Sequence, residues 1–259
     1  MPERTSYAQG IPNWVDLQTS DQPAAKAFYG ELFGWTYRDE PVPQGGVYSM
    51  AYIDDKTVAA ISPQTPDMAA QGVPPLWNTY FAVDDVDATA AKVAGAGGMV
   101  AMEPFDVMDA GRMAAVMDPT GAFCMLWQAK NHIGGQIVNA PGALIWNELV
   151  TAETGKAVDF YEAILGLEGE ATDMGTGPYT TFKVGGEAVA GSMLPPEDGI
   201  PSHWAVYFGT ADTAATCEKA KELGGAVEAG PFDTPIGPMA VIRDPQGAYF
   251  SVFQVPQDG

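Results

Sequence analysis

The sequence predicts an α+β fold. It would hold two tandem domains, four βαβββ modules in all, with cupped mixed sheets and helices outside. Three observations carry this. The chain repeats itself once along its length. Each repeat opens on a run of alternating residues followed by a helical stripe. Each repeat ends on short strands joined at a DPxG tetrad.

Displaced by 132 positions, Trp14 meets Trp146, Leu17 meets Leu149, and Ala25, Phe28, Tyr29 and Gly34 meet Ala157, Phe160, Tyr161 and Gly166. Displaced by 127, Trp77, Tyr80, Phe81 and Asp85 meet Trp204, Tyr207, Phe208 and Asp212, and Gly97–Gly98 meets Gly224–Gly225. DPTGA at 118–122 meets DPQGA at 244–248. Small loop deletions account for the drifting offset. A period of roughly 125 residues is far too long for a solenoid. The expected domains are therefore 1–131 and 132–259, joined through KNHIGGQIVNAPG at 130–142.

Within one copy the elements follow in order. WVDLQT at 14–19 alternates. Val15, Leu17 and Thr19 share one face, and Trp14, Asp16 and Gln18 share the other. Ser20, Asp21 and Pro23 are helix-start signals. Ala25, Phe28, Tyr29, Leu32 and Phe33 then form a single helical stripe, stopped at Gly34. Strands are expected at 46–53 and 57–62 around a DDK turn, and at 78–83. Asp84 and Asp85 cap a second helix, which Gly97 and Gly98 end. Strands near 99–105, 112–117 and 122–128 complete the copy. Its DPTG tetrad fits a tight turn with Pro at the second position and Gly at the fourth.

Composition narrows the function classes. The chain has 259 residues, 46% of them hydrophobic, enough to bury sizeable cores. Its 12 basic and 33 acidic residues give a net charge of −21, which repels phosphate backbones and anionic membranes and favours solubility. Cys124 and Cys217 fit neither a zinc site nor a redox pair, and suit buried apolar positions in a reducing compartment. No run of 18 apolar residues is present, and MPERTSYAQG lacks the apolar core of a signal peptide. A cytoplasmic protein with no nucleic-acid or membrane partner is expected. Tandem copies pair within one chain, so a monomer or weak homo-oligomer is expected.

The set Trp14–Phe28–Tyr29–Gly34, VDDVDA at 83–88, the Gly pair at 97–98 and DPTGAF at 118–123 resembles the vicinal oxygen chelate superfamily. Glyoxalase I, bleomycin-resistance proteins and extradiol dioxygenases belong to it. The resemblance covers nearly the whole chain, and HIGGQIVNAPGALIWNEL at 132–149 is similar to the linker of actinobacterial tandem glyoxalase-like proteins. It implies that each domain closes a cupped sheet around a cleft. In metal-dependent members, His, Gln or Glu ligands come from first and last strands of the modules. Carried over, those positions fall on Trp14, Asn78 and Met125, and in the second copy on Trp146, Ala205 and Ser251. Such groups are poor partners for a hard or borderline cation. No cofactor and no metal ligand is therefore expected.

Strand parity lines the clefts with other groups. The first receives Trp14, Asp16 and Gln18, with Asn78, Tyr80, Met125 and Trp127. The second receives Trp146, Glu148 and Val150, with His203, Tyr207, Ser251 and Phe253. An aromatic plate with one polar anchor suits a flat organic ligand. Asp16 and Glu148, beside indole rings, are the candidate proton acceptors. Core packing of the paired tryptophans and structural hydrogen bonding of the two carboxylates fit the same pattern. Trp77 and Trp204 have the opposite parity and belong to the core. Asn147 stands where the first copy has Val15, and a backbone partner is expected for it. The favoured function is metal-free binding of a small organic molecule. A glyoxalase-like lyase, isomerase or hydroxylase using a cleft carboxylate is the alternative. An interaction protein with decayed clefts is the third reading.

Overall fold

A computed structural model describes residues 3–42, 46–173, 178–234 and 236–255. The first half opens with β1 (Pro12–Thr19), α1 (Gln22–Phe33), β2 (Thr36–Pro41), β3 (Val47–Ile53) and β4 (Lys56–Pro63). A short helix, α2 (Pro66–Ala70), leads to β5 (Leu76–Ala82), α3 (Val86–Val93), β6 (Met99–Val107), β7 (Gly111–Met117) and β8 (Phe123–Ala129). The second half repeats the pattern without the short helix. Its third module has β9 (Leu144–Val150), α4 (Thr154–Leu165), β10 (Glu168–Asp173), β11 (Pro178–Val184) and β12 (Glu187–Met193). Its fourth has β13 (His203–Thr210), α5 (Thr213–Glu222), β14 (Ala226–Thr234), β15 (Gly237–Arg243) and β16 (Tyr249–Gln254).

Local chemistry sets the helix ends. The Asp21 carboxylate accepts from the Ala24 N–H, and Pro23 occupies the first turn, where its missing N–H costs nothing. Gly34 and Gly166 close α1 and α4 at φ 74°, a left-handed conformation that glycine adopts without a Cβ penalty. Asp85 and Asp212 cap α3 and α5 in the same way as Asp21 caps α1. The unforeseen α2 starts at a Thr65 cap followed by Pro66.

Each half is one eight-stranded mixed sheet, in the order β2-β3-β4-β1-β5-β8-β7-β6 and its counterpart β10-β11-β12-β9-β13-β16-β15-β14. The module-opening strands pair antiparallel at the centre, and each pairs parallel with the last strand of its own module. The outermost strands of each sheet do not pair with one another. The sheets are therefore open, where sequence similarity implied closure around a cleft.

The cores cross the boundary between the halves. Val15, Leu17, Phe28 and Tyr29 of the first module pack with Phe208, Cys217, Ile242 and Phe250 of the fourth. Phe81, Val86, Leu126 and Cys124 of the second module pack with Leu149, Phe160, Tyr161 and Phe182 of the third. Helix–sheet packing thus buries the apolar sheet faces against each other, and the polar-lined faces point away. Trp77 and Trp204 lie in these cores, as their parity predicts. Asn147 does not find a backbone partner. Its amide donates to the Thr79 hydroxyl of the other sheet at 2.7 Å.

The repeated Phe-Tyr and DPxG motifs meet across this junction. The Asp118 carboxylate holds its own turn by accepting from the N–H groups of Thr120 and Ala122, and also accepts from the Tyr161 hydroxyl at 3.0 Å. The Trp204 indole donates to Tyr161 at 2.8 Å. Asp244, Tyr29 and Trp77 form the matching set from the opposite halves, at 3.0 and 3.1 Å.

Candidate functional site

Alternation on β1, β5 and β8 brings Trp14, Asp16, Asn78, Tyr80, Met125 and Trp127 onto one face of the first sheet. Gln18 lies two residues past Asp16 at the end of β1, opposite Leu76. Asp16 is 3% exposed and sits in a complete cage. It accepts from Asn78 Nδ2 at 2.8 Å, from the Tyr80 hydroxyl at 2.8 Å and from the Tyr48 hydroxyl at 2.9 Å. Trp14 Nε1 donates to the Tyr48 hydroxyl at 2.9 Å. Burial pushes the Asp16 carboxyl up, and the three hydrogen bonds oppose it. The two phenols are raised by burial and by the carboxylate, so they stay protonated and donate.

The first cleft is then covered by its own chain. The segment after β8 runs across the sheet end and is tied there. Asn13 Nδ2 donates to the Ile133 carbonyl at 2.9 Å, Thr57 Oγ1 to Gly134 at 2.9 Å and Tyr7 to Gly135 at 2.5 Å. The His132 ring stands edge-on to Trp14, 4.5 Å between centroids, and 5.7 Å from Trp127. Trp127 Nε1 donates to the His132 carbonyl at 2.8 Å. Burial lowers the His132 imidazole to a pKa of about 4, so it is neutral at pH 7. Trp14 and Trp127 are left 3% and 5% exposed.

The second sheet repeats the plan with smaller flanks. Glu148 accepts from the Tyr207 hydroxyl at 2.5 Å, and the Tyr179 hydroxyl also lowers its pKa against the upward push of burial. Trp146 Nε1 donates to Tyr179 at 3.0 Å. Opposite Glu148 stand Ala205 and Gly191, where Asp16 has Asn78 and Ala60. Beside Tyr207 stands Ser251, where Tyr80 has Met125. Phe253 replaces Trp127. A Cβ at Gly191 would lie 1.9 Å from the Tyr179 hydroxyl, so any larger residue there would displace that ring. Trp146, Tyr179 and Phe253 are only partly buried. His203 shares this face by parity but stands exposed at the start of β13, its Nδ1 2.8 Å from the Pro201 carbonyl, outside the cage.

Sequence reasoning missed Tyr48 and Tyr179, which reach the carboxylates from two strands away. Their signal was present as the matched G-x-Y-[ST] at 46–49 and 177–180. It also assigned His132 to the linker alone, and a lone residue in an irregular segment offers no periodicity to place it.

The arrangement defines a class. The chain belongs to the Glyoxalase/Bleomycin resistance protein/Dioxygenase superfamily, whose sequence model matches residues 11–126 and again 135–252. Among its relatives, CFP32 of Mycobacterium tuberculosis, whose name carries only a provisional glyoxylase assignment, is 54% identical over 257 residues, covering 98% of both chains. The anthracycline biosynthesis protein DnrV of Streptomyces peucetius is 40% identical, covering 97% of this chain and 95% of its own. The 2,3-dioxygenase LapB from Pseudomonas sp. KL28 shares the fold at a TM-score of 0.67 and 15% identity, over 96% of this chain and 93% of that one. A Mn(II)-bound glyoxalase from Novosphingobium aromaticivorans does so at 0.66 and 16%, over 96% and 84%.

The side chains at the carried-over ligand positions do not suit a chelated cation. Trp14 offers only an N–H, Asn78 already donates to Asp16, and Met125 offers a thioether. Trp146, Ala205 and Ser251 are no better matched to one. Among the described residues, no three of His, Cys, Asp or Glu converge on a common point. No helix among them is long and apolar enough to cross a membrane.

Proposed function

We propose that this protein binds one small, flat organic molecule in the second cleft, without a chelated metal. The observation that carries this is the inequality of the two faces. The first is filled by Met125, Trp127 and the His132 lid. At equivalent places the second has Ser251, Phe253, Ala205 and Gly191. Trp146, Tyr179 and Phe253 are partly open aromatic walls around a single carboxylate. Pockets for small molecules combine such apolar surface with few polar anchors. A relative named for anthracycline biosynthesis supports a ring system as ligand. Action as a monomer or weak homo-oligomer in the cytoplasm belongs to the same reading, as does the absence of nucleic-acid and membrane partners.

Fluorescence titration tests it. A flat aromatic ligand should quench the wild-type chain, Trp146→Phe should lose most of that quenching, and Trp14→Phe should keep it. The reverse pattern would place the ligand in the first cleft.

A second reading draws on Glu148. A carboxyl raised by burial and touching Tyr207 is equipped as a general base, which suits a metal-independent lyase or isomerase. That reading requires turnover to disappear in Glu148→Gln.

A further inference from the structure

We infer that the second cleft selects aromatic ligands bearing an acidic hydroxyl, a phenol or an enol, which donates to the Glu148 carboxylate in the place that the Asn78 amide takes at Asp16. This rests on the ligand reading above and specifies its chemistry. The two halves provide an internal comparison. In the first, both oxygens of Asp16 are engaged: Oδ1 by the Asn78 amide, Oδ2 by Tyr48 and Tyr80. Nothing remains there for a ligand to satisfy. In the second, the amide donor has become Ala205. Tyr207 engages Oε2 and Tyr179 also hydrogen-bonds the carboxylate, so both phenols of the first half have counterparts and the amide has none.

The replacements around Glu148 agree with one another. Its side chain is one methylene longer than that of Asp16, so its carboxylate stands further from the sheet. Ala205 and Gly191 leave the space for it, and Gly191 also lets the Tyr179 ring lie close over the strand. Ser251, which hydrogen-bonds Tyr207, lowers the floor where Met125 fills the first cleft. The result is a mostly buried carboxylate with one donor fewer than Asp16 has, bordered by the aromatic edges of Trp146 and Tyr179. A buried carboxylate short of a donor is costly, and a ligand hydroxyl lessens that cost. A ligand ether or ketone at the same place would set lone pairs against lone pairs. Sites built to hydrogen-bond a hydroxyl reject analogues lacking it.

The experiment compares matched ligands on the full chain. 2-Naphthol and 1-hydroxyanthraquinone are titrated beside their methyl ethers, which keep the ring and the oxygen but remove the donor. Each hydroxyl compound should bind roughly ten- to hundredfold more tightly than its ether, the range expected for one hydrogen bond to a charged group. Ala205→Asn, which restores the amide of the first half, should collapse that ratio toward one. Glu148→Gln should do the same, and is nearly isosteric should the first variant fail to fold. Equal binding of hydroxyl and ether compounds to the wild-type chain would overturn this inference and leave the ligand reading standing. Preference for the hydroxyl compounds unchanged in both variants would also overturn it. Binding of none of the four would remove the ligand reading and this inference together.

Discussion

Asp16 and Glu148 occupy the same place in the repeat and meet different surroundings. Asp16 is a structural acceptor with three donors aimed at it. Asp16→Ala leaves a buried amide and two phenols unpaired, and should cost ~3 kcal/mol or more in a urea titration. Glu148→Ala strands fewer donors and should cost less. His132 makes a pH prediction. Its imidazole titrates near 4 when folded and near 6.5 as a free side chain, so the folded state binds fewer protons between those values. Stability is therefore complete above pH 6.5 and falls as pH drops toward 4, by up to ~3 kcal/mol. His132→Gln should remove that share, and the difference between the two urea curves across this range isolates it from the carboxylates. Much of this scale was legible in advance. Alternation along β1 and β9 places Trp14 with Asp16 and Trp146 with Glu148, because a strand's side chains must change faces at every residue. The cage was not legible, because Tyr48 and Tyr179 belong to strands whose neighbours depend on the whole sheet.

At the scale of elements, the internal repeat exposed the Phe-Tyr helix ends and the DPxG turns as paired features. It did not show that they bind one another. A repeat says which elements are alike, and not which copy packs against which. The structure joins the α4 tyrosine to the β7–β8 turn and the α1 tyrosine to the β15–β16 turn, each across the boundary between halves. Tyr29→Phe and Tyr161→Phe should each lower stability by roughly 1–3 kcal/mol, since each leaves a buried carboxylate one donor short. Both losses should appear in equilibrium unfolding with ligand affinity unchanged. A variant that loses nothing would mean that water or the turn itself satisfies the freed oxygen.

For the whole molecule, the shared cores matter most. The first module buries its apolar face against the fourth, and the second against the third. Neither half owns a complete core, although the sequence divides cleanly into two copies. Residues 1–131 expressed alone should therefore lack a cooperative thermal transition, and the intact chain should unfold in one step by calorimetry. Two separate transitions would show that the halves are autonomous. This back-to-back packing also turns the two polar-lined faces away from each other, so the linker covers the first without reaching the second. The most direct test of that division is the position of a bound ring in a crystal soaked with 2-naphthol. Difference density should appear once per chain, against Trp146, Tyr179 and Phe253, with its hydroxyl within hydrogen-bond reach of Glu148. Density between Trp14 and Trp127, or a metal ion held at either sheet centre, would contradict it.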